Sequence, residues 1–172
     1  GLLAGNGEDP FLSFAWHLQN LGQQIFAKSS AVSGNDLNLR QTWANGLNGE
    51  GIKILVSDDG VEDTHEDLTG NYLYSGISKD YTKSFPYFSV SGPPKSSNDM
   101  HATCVAGLIA AVGGNHLGSR GVAPRAQLIS ANFLATGVNQ TDSVFLDQAN
   151  GNYDIFNMSW GTTQNTIDSP DS

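Results

Sequence analysis

Two side chains in this sequence have the types and setting to move a proton between them. Asp58 follows the apolar run Ile52-Lys-Ile-Leu-Val-Ser57, and His101 precedes the small-residue run Ala102-Thr-Cys-Val-Ala-Gly-Leu-Ile-Ala-Ala-Val112. A carboxylate that accepts the N–H of one imidazole nitrogen fixes the tautomer, frees the other nitrogen to deprotonate a nucleophile, and stabilises the imidazolium that forms. Aspartate followed by histidine is thus part of a nucleophile-activating triad that needs a hydroxyl to complete it. Each residue also has a plainer reading. Asp58-Asp59-Gly60 has the composition of a turn, and a histidine at a helix start can simply pack or cap.

The elements around the pair decide whether it can meet. Val105, Ala106, Ile109 and Val112 recur at helical spacing, and Gly113-Gly114-Asn115 ends the run, so His101 falls in the first turn of a helix. The partial positive charge there disfavours an imidazolium, and a neutral His101 is expected. Residues 52–57 read as a buried strand that delivers Asp58 at its carboxyl end. Gln127 to Leu134 and Tyr153 to Ser159 read as two further strands, with a helix over Asp142 to Ala149 capped by Thr141. Strand, helix, strand, helix, strand predicts an α/β fold, a parallel sheet flanked by helices on both faces, with sites beyond the strand carboxyl ends. Elsewhere, Leu37, Leu39, Trp43 and Leu47 predict a short helix broken near Gly46. Tyr72 to Pro94 reads as surface loop with at most short strands, and Phe11 to Leu18 as a strap whose aromatics cover the core.

The chain has 172 residues and is 38% hydrophobic, enough for a real core. Its net charge of −9 and pI near 4.5 argue against nucleic acid or an anionic membrane as partners and favour cationic ones. No run has the length of a membrane span, and no signal-peptide pattern stands at the N-terminus. The lone cysteine, Cys104, rules out an internal disulfide and reads as a small buried hydrophobe rather than a nucleophile.

The flanks of the pair carry a resemblance. Ile54-Leu-Val-Ser-Asp-Asp-Gly-Val-Glu-Asp-Thr-His-Glu-Asp-Leu68 resembles the aspartate motif of subtilisin-like serine proteases, in particular the kexin and furin-like branch with its Asp-Asp-Gly. His101-Ala-Thr-Cys-Val-Ala-Gly107 is similar to the family's His-Gly-Thr-x-x-Ala-Gly, Gly121-Val-Ala-Pro124 to the segment after it, and Asp9 to Asn20 to the start of a mature kexin-type domain. The resemblance implies a secreted serine endopeptidase with Asp58 as orienting acid and His101 as general base. It implies that Ser159, Trp160 and Gly161 bind the substrate backbone by strand pairing; without the resemblance that stretch would read as a core strand. Asp59 and Asp99 are left to face a basic substrate residue, since Thr162-Thr-Gln-Asn165 stands where furin-like enzymes carry acidic residues. It also implies a Ca²⁺ site formed by side chains of Asp9, Asp67 and Asn115 and carbonyls of Val112, Leu117 and Ser119, unless these are merely solvated polar residues.

Two departures stand out. Ala102 replaces the family's glycine beside the base, so a methyl group must fit there. The family's Gly-Thr-Ser motif, which holds the nucleophile, and its oxyanion asparagine do not occur in the sequence. The whole chain, 1–172, is therefore expected to be the aspartate-and-histidine portion of a catalytic domain, with 1–30 a strap and 31–172 part of the α/β core. The expected partners are polypeptide substrates and the C-terminal remainder of the same protease, held as a separate nicked chain; a truncated piece is the second account. A catalytically inactive peptide-binding or structural module is the alternative function.

Overall fold

The computed structural model describes residues 9–24, 28–29, 31–89, 91–94, 96–135 and 137–161; the beginning of the expected strap, residues 1–8, and the stretch Thr162 to Asn165 lie outside the described residues. Its centre is strand β1, Lys53–Asp58, in which every residue after Lys53 is buried. A strand buried on both faces needs neighbours on both edges, because backbone N–H and C=O groups away from water must be paired. β1 has them in β4, Gln127–Asn132, and β5, Ile155–Asn157, both parallel to it. The register sets Lys53 against Gln127 and Asp58 against Asn132, so the carboxyl ends of β1 and β4 are level.

The sheet has five strands in the order β3-β2-β4-β1-β5. Strand β2, Ser78–Asp80, runs parallel to β4, and β3, Phe88–Ser89, closes that edge antiparallel. Both come from the stretch that composition assigns to surface loop, yet Ser78, Lys79 and Asp80 are all buried. A lysine can lie there because its ammonium meets Asp147 Oδ2 at 3.1 Å and sits 3.6 Å from the centroid of the Phe88 ring.

Side chains alternate across the sheet. Ile54, Val56 and Leu128 pack with Ala102, Ala106 and Ala110 of helix α2, His101–Ala110. Leu55, Ile129 and Ala131 pack on the other face with Val144 of helix α3, Asp142–Ala149. Thr141 caps α3 as expected, its hydroxyl oxygen accepting the Val144 N–H at 3.4 Å. Helices thus cover both faces, as the order of elements implied.

The outer pieces depart from expectation in detail. Helix α1 is confined to Arg40–Ala44, and Leu37 and Leu47 are exposed. In the strap, the aliphatic residues Leu12, Ala15 and Leu18 form a buried cluster with Leu39, Trp43 and Val122, whereas Phe11 and Trp16 face solvent. The expected aromatic cover is an aliphatic one, because the spacing of residues 12, 15 and 18 keeps one side of the turn on the core. Among the described residues, no helix is long and apolar enough to cross a membrane.

Candidate active site

The last residue of β1 and the first of α2 meet. His101 Nδ1 lies 2.9 Å from both Asp58 carboxylate oxygens. Asp58 is almost wholly buried, while the His101 side chain is half exposed, so the ring presents its far edge to solvent. Asp58 stays in place through its backbone carbonyl, which accepts the N–H groups of Phe133 and Leu134 just past β4.

Burial raises the Asp58 carboxyl above its ordinary range, an effect that the hydrogen bond from His101 partly offsets. The same hydrogen bond raises His101 above 6.5, with the Asp58 charge adding to it. The expectation of a helix start that depresses His101 therefore fails on direction. A carboxylate bonded to the ring outweighs the diffuse charge of a helix terminus, which the neighbouring residue in any case neutralises.

That neighbour is Asp59. Its Oδ1 accepts the Ala102 N–H at 2.7 Å and its Oδ2 the His101 N–H at 3.2 Å. Both oxygens are turned onto the first turn of α2, where the helix leaves N–H groups without partners. Asp59 is thus a cap, not a free acceptor facing a substrate side chain as expected. Successive carboxylates hold one residue by two handles: Asp58 takes the imidazole of His101 and Asp59 its backbone. The turn that allows this depends on Gly60, at φ +100°, where a Cβ would stand 2.6 Å from the Pro93 carbonyl oxygen.

Ala102 is fully buried in the cluster under α2, so its methyl group fills core volume. Cys104 is exposed, contrary to the reading of a buried thiol. The buried row of α2 is Ala102, Ala106 and Ala110, and a residue two positions after Ala102 lies on the far side of the helix. Cys104 lines a cleft of about 620 Å³ with Glu62, His65, Asp99, Met100 and Thr103. Asp99 therefore stands in a concave surface beside His101, although its Oδ2 also accepts the Ser96 N–H at 2.9 Å. Nothing in the helical spacing of apolar residues pointed to this cleft.

β5 ends at Asn157, so Ser159, Trp160 and Gly161 lie beyond the strand and are exposed. The Trp160 indole N–H donates to the Ser57 carbonyl at 2.7 Å, and its ring packs on Phe133 with centroids 5.5 Å apart. This anchors the segment one residue from Asp58, at the carboxyl end of the sheet.

The residues of the expected calcium set also come together, around the loop leaving α2. Their side-chain oxygens are turned onto donors. Asp9 Oδ1 accepts N–H groups from Gly114 at 2.8 Å and Asn115 at 3.1 Å, and its Oδ2 meets Arg120 Nε and Nη2, each at 3.0 Å. Asp67 Oδ1 accepts the Asn115 side-chain N–H at 2.8 Å, its Oδ2 the Ser119 N–H at 3.2 Å, and Asn115 Oδ1 the Leu117 N–H at 3.0 Å. Val112 joins through its N–H, donated to the Asp67 carbonyl at 2.9 Å. Ca²⁺ takes six to eight oxygens; as arranged, the side-chain oxygens of Asp9, Asp67 and Asn115 are each met by a donor hydrogen. Arg120 is the member of this cluster that motif reading missed.

The sequence pattern of the Subtilase family matches residues 49–172. The chain belongs to the subtilase family. This subtilase is 34% identical over 160 residues to the Aeromonas extracellular serine protease of Aeromonas sobria, covering 90% of the chain and 24% of that protein. It is 31% identical to neuroendocrine convertase 2 of Homo sapiens, covering 96% of the chain and 25% of that protein, which places it with kexin and furin-like relatives. The crystal structure of the Aeromonas sobria protease with its chaperone matches with a TM-score of 0.80 over 92% of this chain and 26% of that one. The subtilase chain therefore spans about a quarter of the length of these relatives.

Proposed function

We propose that this chain is part of a secreted serine endopeptidase, in which Asp58 orients His101 and His101 takes the proton of a serine hydroxyl. The serine and an oxyanion asparagine would come from further sequence of the same protease, held as a separate nicked chain. The observation that carries the reading is the pair of 2.9 Å contacts from His101 Nδ1 to Asp58, with the ring's other edge open to solvent. In that arrangement Nδ1–H donates to the carboxylate, and Nε2 accepts the hydroxyl proton as oxygen attacks the scissile carbonyl. The buried carboxylate stabilises the imidazolium until its proton passes to the leaving amine. The exposed segment at Ser159, Trp160 and Gly161 would pair with the substrate backbone.

The apolar groove lined by Trp16, Leu37, Leu108 and Ile155 supports a requirement for the remainder of the protease, since it borders β5 at the sheet edge. The extracellular name of the Aeromonas relative supports secretion.

The test is a denaturing mass measurement on the purified protein, paired with labelling by an organophosphorus serine reagent. A second polypeptide that contains Gly-Thr-Ser, takes the label, and ceases to take it when His101 is replaced by alanine is the expected result. A lone folded species of 18.2 kDa that grips peptides without cutting them would establish the binding-module function instead.

A further inference from the structure

We propose that Arg120 is the resident cation of the knot that fastens the N-terminal strap, so that this knot needs no metal ion. The Asp9 side chain has no solvent exposure, and burying a lone carboxylate is costly unless a positive charge and hydrogen bonds meet it. Arg120 meets it with two nitrogens on Oδ2, while Gly114 and Asn115 present backbone N–H groups to the remaining lone pairs. A carboxylate ringed by donor hydrogens has its negative end facing positive dipoles; a divalent cation entering there would face the same hydrogens.

The guanidinium is itself placed by its surroundings. Its Cζ lies 5.7 Å from the centroid of the Trp43 ring, and that indole N–H is fixed on the Val122 carbonyl at 3.0 Å. Trp43 belongs to the same cluster as Leu12, Ala15 and Leu18 of the strap. Phe11 adds a backbone bond to the Gly118 carbonyl at 2.7 Å. Strap, α1 and the loop leaving α2 thus converge on one arginine. Asp67 does the equivalent job on the loop's other flank with neutral donors from Asn115 and Ser119, at a point where Gly118 has no room for a Cβ.

Hydrogen–deuterium exchange of the complete protein tests this locally, so that calcium bound elsewhere does not enter. Peptides covering residues 9–20 and 112–120 are compared in EGTA and in millimolar Ca²⁺, for the unmodified protein and for Arg120→Met and Arg120→Lys. The proposal expects the same exchange in both solutions for the unmodified protein. It expects Arg120→Met to speed exchange in both segments by roughly tenfold or more, as loss of one partner from a buried pair does, with Arg120→Lys between the two. If Arg120→Met fails to fold, the unmodified protein still decides. Calcium slowing exchange in both segments there, or unchanged exchange in a folded Arg120→Met protein, would overturn the proposal.

Discussion

Replacing Asp59 by alanine separates the two jobs open to a second carboxylate beside Asp58 and His101. The substitution removes the acceptors of two N–H groups in the first turn of α2, one at 2.7 Å and one at 3.2 Å. Bonds to a charged group contribute about 1.5–3 kcal/mol each in well-ordered settings, and loss of an N-terminal cap costs about 0.5–2 kcal/mol. Asp59 is only partly buried and its second bond is long, so the loss is about 2 kcal/mol rather than the sum. Urea unfolding of the complete protease should show it as a lower midpoint with an unchanged slope. The same loosening frees the His101 backbone while leaving its bond to Asp58. Turnover should therefore fall by roughly tenfold, the equivalent of about 1.4 kcal/mol, with KM unchanged for peptides whatever the side chain next to the cut. Asp59→Asn keeps one acceptor and should recover about half of both losses. An alanine variant with normal turnover and stability, and a raised KM only for peptides with lysine or arginine beside the scissile bond, would refute the cap and return Asp59 to substrate recognition.

Because Asp58 raises His101, the acid limb of kcat/KM should lie above 6.5, and Asp58→Asn should move it down while reducing the rate; an unmoved limb would mean that His101 is not the titrating base. A group whose pKa is raised on folding stabilises fully below its unfolded value and loses that contribution as pH rises through the folded one. The pair thus stabilises less once pH exceeds the raised His101 value, which histidine NMR alongside unfolding at several pH values will show. Ala102→Gly, which restores the residue usual in the family, should destabilise by about 1–2 kcal/mol, since it removes a buried methyl from the core and a helix former from α2; thermal unfolding checks this. Cys104 should react with a thiol reagent in the folded protein. A bulky label there should slow peptide cleavage by blocking the cleft beside His101, as rates before and after labelling will reveal.

Local pattern was enough to place Asp58 and His101. A short β-branched apolar run bounded by glycine and a turn favours a doubly covered strand, and small residues at helical spacing favour a closely packed helix, so the ends of both elements were legible near Asp58 and His101. The three parallel strands and the Thr141 cap followed from the same rules. Spacing along the chain could not say which way a side chain turns once its element is packed. Cys104 is exposed because the alanine row of α2, rather than the valine and isoleucine row, faces the sheet. Asp59 turns onto a helix start that the fold brings to it from 42 residues further along the chain. Arg120 reaches Asp9 across a sequence separation of 111 residues, at which residue type carries no information about contact. Burial and the direction of hydrogen bonds are properties of the assembled packing, and they set the pKa values, the caps and the ion pairs that the sequence leaves open.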